Sequence, residues 1–515
     1  MSGVAVAARS RPDRRALLAA IACAAIAYAV YALTAFPGVG GRVNRGDSAK
    51  FQFLGSIGGV SHPPGNPLYL LVSGAARKIF WFAQPATIAT HTSAVCAAAA
   101  LSFLFDALRR TQGFLRAAVA VICVGLGPLF WTLSTEAEVY TMNVLFLGVA
   151  VWGIARWSEL RDGRSLAAGL GAFVLAFGNH GTIVAALPAF LAVAIIVHRT
   201  TRIPWYLWVV GALASLVALG AYLYIPLRAR VAGYSELNPR FTDKELWDYL
   251  RAKQFSSSFN VPSMAALVDK RMPEIARRLG EQWLWPQLLL IGVGLHRAWH
   301  RARPVAVFCA LAGAGFIAFT VLYDIQDSEG FYVPAAFVLG AFLAFTSDPG
   351  RPSSLVAPAA SLLLMIAPAS LHLHRFRQLV GVDIVESTES EALLWDLPDV
   401  MARLSPGARF VLPCAHYGCV EVWNYYRYAD PKARAKKLEM VTMHGGMPYG
   451  LPSPPPAIAA AEAARVETCT IRELDAKLMQ SAGVTMRRID RPARVVGVLF
   501  RPGVPIHCSV PQGAP

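Results

Sequence analysis

Over the first 372 residues, apolar stretches of about 15 to 24 residues recur between short polar loops, and a bilayer core needs about 20 apolar residues for each helix that crosses it. Such stretches leave little choice of solvent. A soluble chain carries roughly 25% charged residues, whereas this one carries 16%. The apolar spans are 16–36, 86–107, 115–133, 139–156, 165–178, 181–197, 204–227, 284–298, 304–322, 331–346 and 354–372. The sequence therefore predicts a polytopic α-helical membrane protein with about eleven transmembrane helices. Segment 67–84 is apolar but carries Arg77 and Lys78, which suits the interface better than the interior.

Arg9, Arg11, Arg14 and Arg15 precede the first apolar run, Ala16 to Phe36. That run is too long for a signal-peptide core, and nothing after it reads as a cleavage site. It is read as an uncleaved first helix. If the N-terminus is cytoplasmic, the inner loops carry Arg109, Arg110 and Arg116, then Arg156, Arg161 and Arg164, Arg199 and Arg202, Arg297, Arg301 and Arg303, and Arg351. The short outer loops 134–138, 178–181 and 323–330 carry no Lys or Arg. This is the positive-inside distribution. It accounts for the formal net charge of +16 without nucleic acid, because no basic stripe interleaved with aromatics is present. A single long helix over 165–197 would reverse every later loop and place Arg297, Arg301 and Arg303 outside.

Residues 1–372 form the membrane domain, with longer outer loops at 37–85 and 228–283. The second of these is predicted to hold amphipathic helices around Lys244–Phe255 and Ser263–Leu279. Residues 373–515 change composition and read as a small extracytoplasmic soluble domain of α/β type, with strands at Arg409–Pro413 and Glu439–Met443 and a helix at Cys419–Tyr428 between them. Cys23, Cys96, Cys123 and Cys309 fall in apolar helices, where a thiol packs as a small hydrophobe. Cys414, Cys419, Cys469 and Cys508 lie in the tail and can pair in an oxidising compartment, in an arrangement the sequence leaves open.

Unusual polar residues gather on the outer side. Asp47 and His62 lie in the first outer loop, Glu136, Glu138 and Tyr140 in the next, and Asn179 and His180 in the third. Arg228 and Arg230 open the fourth; Asp324, Asp327 and Glu329, followed by Tyr332, form the fifth. Ionisable groups beside membrane helices are costly unless they line a cavity, which makes them functional candidates. Each also has a structural reading. Asp47 can be a helix N-cap, Glu138 a capping or solvated charge, and Asn179-His180 a satisfied break between helices. Arg228 and Arg230 fit either a phosphate or a snorkelling anchor. The fifth-loop acids have metal-capable spacing, yet loop acids are usually just solvated.

The wording of these loops has a resemblance. Gly46-Asp47-Ser48-Ala49-Lys50-Phe51, followed by Val60-Ser61-His62-Pro63-Pro64-Gly65-Asn66-Pro67, resembles the signature of a polytopic family first catalogued as a domain of unknown function, which includes the transmembrane O-mannosyltransferases of receptor ectodomains. Glu138-Val139-Tyr140, Gly178-Asn179-His180, Tyr224-Ile225-Pro226-Leu227-Arg228 and Asp327-Ser328-Glu329-Gly330-Phe331-Tyr332 are similar to its later motifs, in order, over residues 16–345. The resemblance implies a C-type glycosyltransferase fold and transfer of a sugar, such as mannose, from a polyprenyl-phosphate donor to a hydroxyl on a protein, glycan or lipid. It implies Asp47 as catalytic base. With it, His62 is expected in the catalytic pair, Arg228 and Arg230 on the donor phosphate, and Glu138, Tyr140, Asn179, His180, Asp327, Glu329 and Tyr332 around the substrates. No cofactor or metal is expected, since a monophosphate leaving group requires none. The chain departs from the family at Lys50, where Glu is usual. A lipid-linked sugar flippase and an inactive scaffold are the competing readings; a transporter would favour paired broken helices, and one clear break is visible, near Asn179.

Overall fold

The structure is a computed structural model that describes residues 14–36, 38–41, 45–201, 204–325, 328–348, 355–380, 400–412, 417–442 and 463–511, apart from 464, 472, 491–493, 497–498 and 502–504. Helices occupy most of the described residues of the expected apolar spans. Helices α1 (Arg14–Leu33), α2 (Arg45–Ile57), α3 (Pro67–Ile79) and α4 (Pro85–Gln112) come first, followed by α5 (Phe114–Gly125), α6 (Pro128–Ser134), α7 (Tyr140–Leu160) and α8 (Gly163–Ala176). A 3₁₀ turn at Gly181–Ala186 leads into α9 (Leu187–Thr200), then α10 (Trp205–Tyr222) and α11 (Tyr224–Ala229). The long outer loop holds α12 (Asp243–Leu250), α13 (Met264–Ala266) and α14 (Met272–Gln282), and the membrane domain ends with α15 (Trp285–Arg301), α16 (Arg303–Leu322), α17 (Glu329–Gly340) and α18 (Val356–Val380).

Among the described residues, six helices are long and apolar enough to cross a bilayer: Arg14–Leu33, Pro85–Gln112, Gly181–Thr200, Trp205–Ala229, Arg303–Leu322 and Val356–His374. The span expected at 115–133 is not straight. It breaks between α5 and α6 with a bend of 71°. The cause is local: Pro128 has no N–H to give to Val124, four residues back, and its ring clashes with that turn. The fully buried Gln282 repairs the break, donating from Nε2 to the Val124 carbonyl at 3.1 Å and accepting from the Phe130 N–H at 3.1 Å. Gly163–Ala176 and Glu329–Phe345 are shorter apolar segments.

The stretch 165–197 is two helices, not one. Leu166 near the start of α8 and Val197 near the end of α9 line one apolar cavity, with Gly169, Leu170, Val193 and Ala194 between them, so the two run antiparallel. Close approach elsewhere depends on small residues: a Cβ on Gly153 of α7 would lie 2.4 Å from the Ser165 carbonyl of α8, the arrangement that lets membrane helices pack backbone to backbone.

The arginine-rich ends converge. Arg116 donates to Ser347 Oγ at 2.8 Å and to the Asp348 carbonyl at 2.7 Å, and Arg301 pairs with the Asp348 carboxylate. Arg110 lies 3.7 Å from Glu159. At the other end, the outer loops meet one another and the C-terminal unit. That unit contains a five-stranded sheet of order β2-β1-β3-β7-β4, in which β1 (Arg409–Leu412) is parallel to β2 (Glu439–Thr442) and β3 (Thr468–Thr470). Strand β4 (Met486–Ile489) and strand β7 (Ile506–Ser509) run antiparallel, while β5 (Arg494–Val496) and β6 (Leu499–Arg501) form a separate hairpin. A parallel pair needs a crossover, and α19 (Tyr417–Tyr428) supplies it between β1 and β2, the strand–helix–strand order read from the sequence. Cys469 and Cys508 are opposite one another on β3 and β7 and form a disulfide. Cys414 lies outside the described residues.

Gln282→Leu removes both bonds that satisfy the α5–α6 break and is expected to destabilise the fold by about 1–3 kcal/mol, read as a lower thermal midpoint in detergent.

Candidate active site at the outer loops

Helix α2 carries the first polar residues of the site. Asp47 lies in its first turn rather than before it, so the carboxylate meets the positive end of the helix dipole instead of capping it. One turn on, Lys50 brings Nζ to 3.5 Å from Asp47 Oδ1. His62 Nδ1 approaches the same oxygen at 3.5 Å. Its ring is held edge-on by Phe255 at 6.0 Å and tilted against Phe51 at 6.1 Å.

The loop that presents His62 is tightly fixed. The Gly65 N–H closes a turn on the His62 carbonyl at 2.8 Å, and Tyr249 OH donates to the Ser61 carbonyl. Gly65 has φ +97°, and a Cβ there would meet Ile225 at 2.6 Å, so only glycine fits. Asn66 is left-handed and fully buried, and neither end of its amide has a hydrogen-bond partner among the described residues. Buried amides are rarely left so. The Leu68 N–H then donates to the Gly178 carbonyl at 2.9 Å, tying this loop to the break between α8 and α9.

That break is a hydrogen-bonded device. Asn179 donates to the Val139 carbonyl at 2.9 Å and to Asn143 Oδ1 at 2.7 Å. Asn143 in turn reaches the His180 carbonyl and Thr182 Oγ1, both at 3.3 Å. The Thr182 N–H donates to His180 Nδ1 at 3.3 Å, which leaves the proton of a neutral ring on Nε2. Burial, reinforced by His62, pushes His180 down to about 3, against the opposite pull of Asp47. The ring is therefore neutral and sits within electrostatic reach of both.

The second outer loop lies behind α2. Glu138 is fully buried and accepts from Ser48 Oγ at 2.8 Å. Glu136 is also buried, and a Cβ on Gly41 would lie 2.4 Å from its carboxylate. Tyr140 is tilted against His180 at 5.2 Å and meets Phe331 edge-on at 5.4 Å, which links the fifth loop to the third. Glu329 pairs with Arg278 of α14, and Asp324 pairs with Lys270 and with Arg271 at 2.9 Å. These two acids are held by cations of the long outer loop. Tyr332 is buried one residue beyond Phe331. Asp327 lies outside the described residues.

Asp47, His62, Glu138, Tyr140, Asn179, His180 and Glu329 thus share one neighbourhood. Arg228 does not face it. Its guanidinium donates to the carbonyls of Gly58 at 2.7 Å and Ile57 at 3.1 Å, the C-terminal end of α2, about 15 Å from Asp47 at 1.5 Å per residue. Arg230 lies over the Phe241 ring at 5.0 Å. The expected donor-phosphate pair is therefore used to hold the helix end and the loop behind it. Sequence reasoning missed Ser48, Asn66, Asn143, Glu236 and Arg278. Ser48 and Asn66 lie inside motifs already singled out; Glu236 and Arg278 sit in a loop that gave no signal beyond amphipathicity.

A bundle of apolar helices whose loops gather polar side chains at one end, with an α/β unit attached, is an architecture that solved structures share at the level of the fold. ArnT from Cupriavidus metallidurans in the apo state aligns with a TM-score of 0.57 at 13% identity, covering 96% of this chain and 97% of that one. The same protein bound to undecaprenyl phosphate gives 0.58 at 14% identity, covering 97% and 99%. The chain is a multi-pass membrane protein with the C-type glycosyltransferase fold.

More specifically, residues 47–203 match the family model described as the Protein O-mannosyl-transferase TMEM260 N-terminal domain. Protein O-mannosyl-transferase TMEM260 of Mus musculus is 32% identical over 179 residues, 33% of this chain and 24% of that protein. The chain thus spans about a quarter of the length of the curated relative it matches. The matched region contains Asp47, His62, Glu138, Tyr140, Asn179 and His180.

Asn179→Leu removes the donor to Val139 and Asn143 while keeping the size of the side chain. It is expected to cost about 1–3 kcal/mol, measured by thermal unfolding in detergent.

Proposed function

We propose that the chain is an inverting glycosyltransferase that moves a hexose, mannose in the first instance, from a polyprenyl-phosphate carrier to a hydroxyl on a protein, glycan or lipid. The observation that carries this reading is the meeting of Asp47 and His62 at the helix α2 N-terminus, beside neutral His180, in a region similar to an O-mannosyltransferase domain. The donor is inferred from chemistry at headgroup depth: a sugar on a membrane lipid reacts where the outer loops meet the bilayer. The fold shared with a protein solved with undecaprenyl phosphate is consistent with it.

In this mechanism Asp47 takes the proton of the acceptor hydroxyl as its oxygen attacks the anomeric carbon from the face opposite the phosphate. The C–O bond to phosphate breaks with inversion, and polyprenyl phosphate leaves. A carboxylate suits general-base work when held within reach of the hydroxyl. His62 orders the same Asp47 oxygen. Charge growing on the phosphate calls for preorganised donors, a task assigned to His62, since Arg228 is held at the end of α2 and Arg278 is paired with Glu274, Glu281 and Glu329. The reaction as written needs no metal, and Asp324 and Glu329 have cationic side chains as partners.

The site is placed on the extracytoplasmic face of the inner membrane, with the N-terminus cytoplasmic and the C-terminal unit outside; the arginine distribution supports this orientation.

Asp47→Asn is expected to lower transfer from a synthetic polyprenyl-phosphate mannose by about 10²–10⁴-fold while the protein remains folded. Wild-type turnover in this variant would remove Asp47 as the base. For topology, a cysteine replacing the exposed Val231 should react with a membrane-impermeant maleimide on intact cells, and one replacing Leu160 only after permeabilisation. Labelling of both from one side would defeat the orientation.

A further inference from the structure

Lys50 is one of the largest fully buried side chains in the protein. Removing an ammonium from water costs several kcal/mol unless carboxylates replace the lost hydration, so its neighbours explain its presence. Nζ lies 3.5 Å from Asp47 Oδ1 and in contact with Glu236 of the long outer loop. Glu421, from α19 of the C-terminal unit, adds a third carboxylate to the electrostatic surroundings of Lys50. Glu421 is itself buried, accepting from Tyr234 OH at 3.0 Å and from Asn424 Nδ2 at 3.2 Å.

The polar network is backed by an aromatic one on the same face of α2. Phe53, one turn after Lys50, meets Tyr234 edge-on at 5.3 Å and stacks with Tyr428 of α19 at 6.3 Å. Tyr234 and Tyr428 also touch, at 5.6 Å. The C-terminal unit is therefore seated on the helix that carries Asp47, and Tyr234 belongs to both networks.

We propose that Lys50 is a positioning residue through which the C-terminal unit sets the Asp47 carboxylate, by way of the chain Asp47–Lys50–Glu236 and the Glu421–Tyr234 pair beside it. This rests on the function proposed above, with Asp47 as base. A cation held by Asp47 on one side and Glu236 on the other couples the Asp47 carboxylate to the long outer loop, on which Tyr234 meets Glu421 of α19. Burial alone would lower the Lys50 pKa, but Glu236 and Asp47 outweigh it and the net shift is upward; the bridge keeps its charge. Burial raises the Glu421 pKa, with Lys50 opposing.

The test is a double-mutant cycle on the full chain, with polyprenyl-phosphate mannose as donor. Glu421→Gln keeps the size and one carbonyl acceptor, and lies on a different unit from Asp47. It should lower kcat about 10-fold with donor KM within about twofold, a misplacement effect transmitted from outside the pocket. Lys50→Met should lower kcat about 100-fold, Lys50→Arg should restore part of it, and adding Glu421→Gln to Lys50→Met should cost nothing more, since the bridge is already gone. A merely structural role would instead lower the thermal midpoint and move KM with kcat, with independent effects multiplying. Unchanged kcat in Glu421→Gln, or multiplicative losses in the double variant, overturns the proposal. If the wild-type chain transfers no sugar, the functional reading fails, and hydrogen exchange decides the bridge separately. Glu421→Gln should then speed exchange of the α2 amides, and unaltered exchange there refutes the coupling.

Discussion

The exclusion of unpaired charge from a low-dielectric interior governs this molecule. A lysine, two glutamates and three asparagines are fully buried near the outer end of the helix bundle, and for most of them a specific partner explains the burial. Lys50 has Asp47 and Glu236; Glu138 has Ser48; Asn179 has Asn143 and a backbone carbonyl. The same rule acts at the opposite end, where Arg116 and Arg301 converge on Ser347 and Asp348. Between these two layers the buried side chains are mainly apolar. The polar chemistry is thereby concentrated in one layer, which is what a reaction at headgroup depth requires.

Breaks in helices do the positioning. At the α8–α9 break Asn143 satisfies the His180 carbonyl, the His180 ring accepts from the Thr182 N–H, and Asn179 ties the break to the Val139 carbonyl ahead of α7. This holds His180 next to Tyr140 and within reach of Asp47. The α5–α6 break is built on the same principle but is closed by Gln282 and carries no titratable group. Irregular backbone at membrane depth is tolerated only where it is buried in protein or lines a cavity, and the two breaks are examples of the two cases.

Much of this was legible in the chain. Apolar periodicity located the helices because lipid imposes a minimum length on them, and the scarcity of basic residues in loops 134–138, 178–181 and 323–330 identified which ends share a side. The strand–helix–strand order around α19 followed from its apolar alternation. What did not follow was depth and direction within the outer layer. Arg228 lies on the expected side, yet its guanidinium turns to the end of α2 because Gly58, at φ +63°, leaves room for it against the backbone. No local pattern encodes that contact, which joins residues 170 apart in sequence. Asp47 read equally well as an N-cap or a base; its place inside the first turn decides only that it is not the cap. The bend at Pro128 was visible as a residue but its repair by Gln282 was not, for the same reason of sequence distance.

Lys50 shows why a departure from a family pattern has to be argued from its surroundings. Viewed alone, a lysine in the place of a glutamate reverses a charge beside the proposed base and would be expected to weaken it. Viewed with Glu136, Glu138, Glu236 and Glu421, it is the cation in a region rich in carboxylates. An anionic donor phosphate entering a pocket backed by those acids would be repelled, and a buried ammonium beside Asp47 offsets part of that repulsion without itself occupying the pocket. In the fold as it stands, the lysine therefore balances charge locally and ties α2 to Glu236 of the long outer loop at the same atom. A glutamate at this position would meet Asp47 and Glu236 as like charges in a buried setting, so the residue at 50 and the acids on the long loop and α19 have to be chosen together.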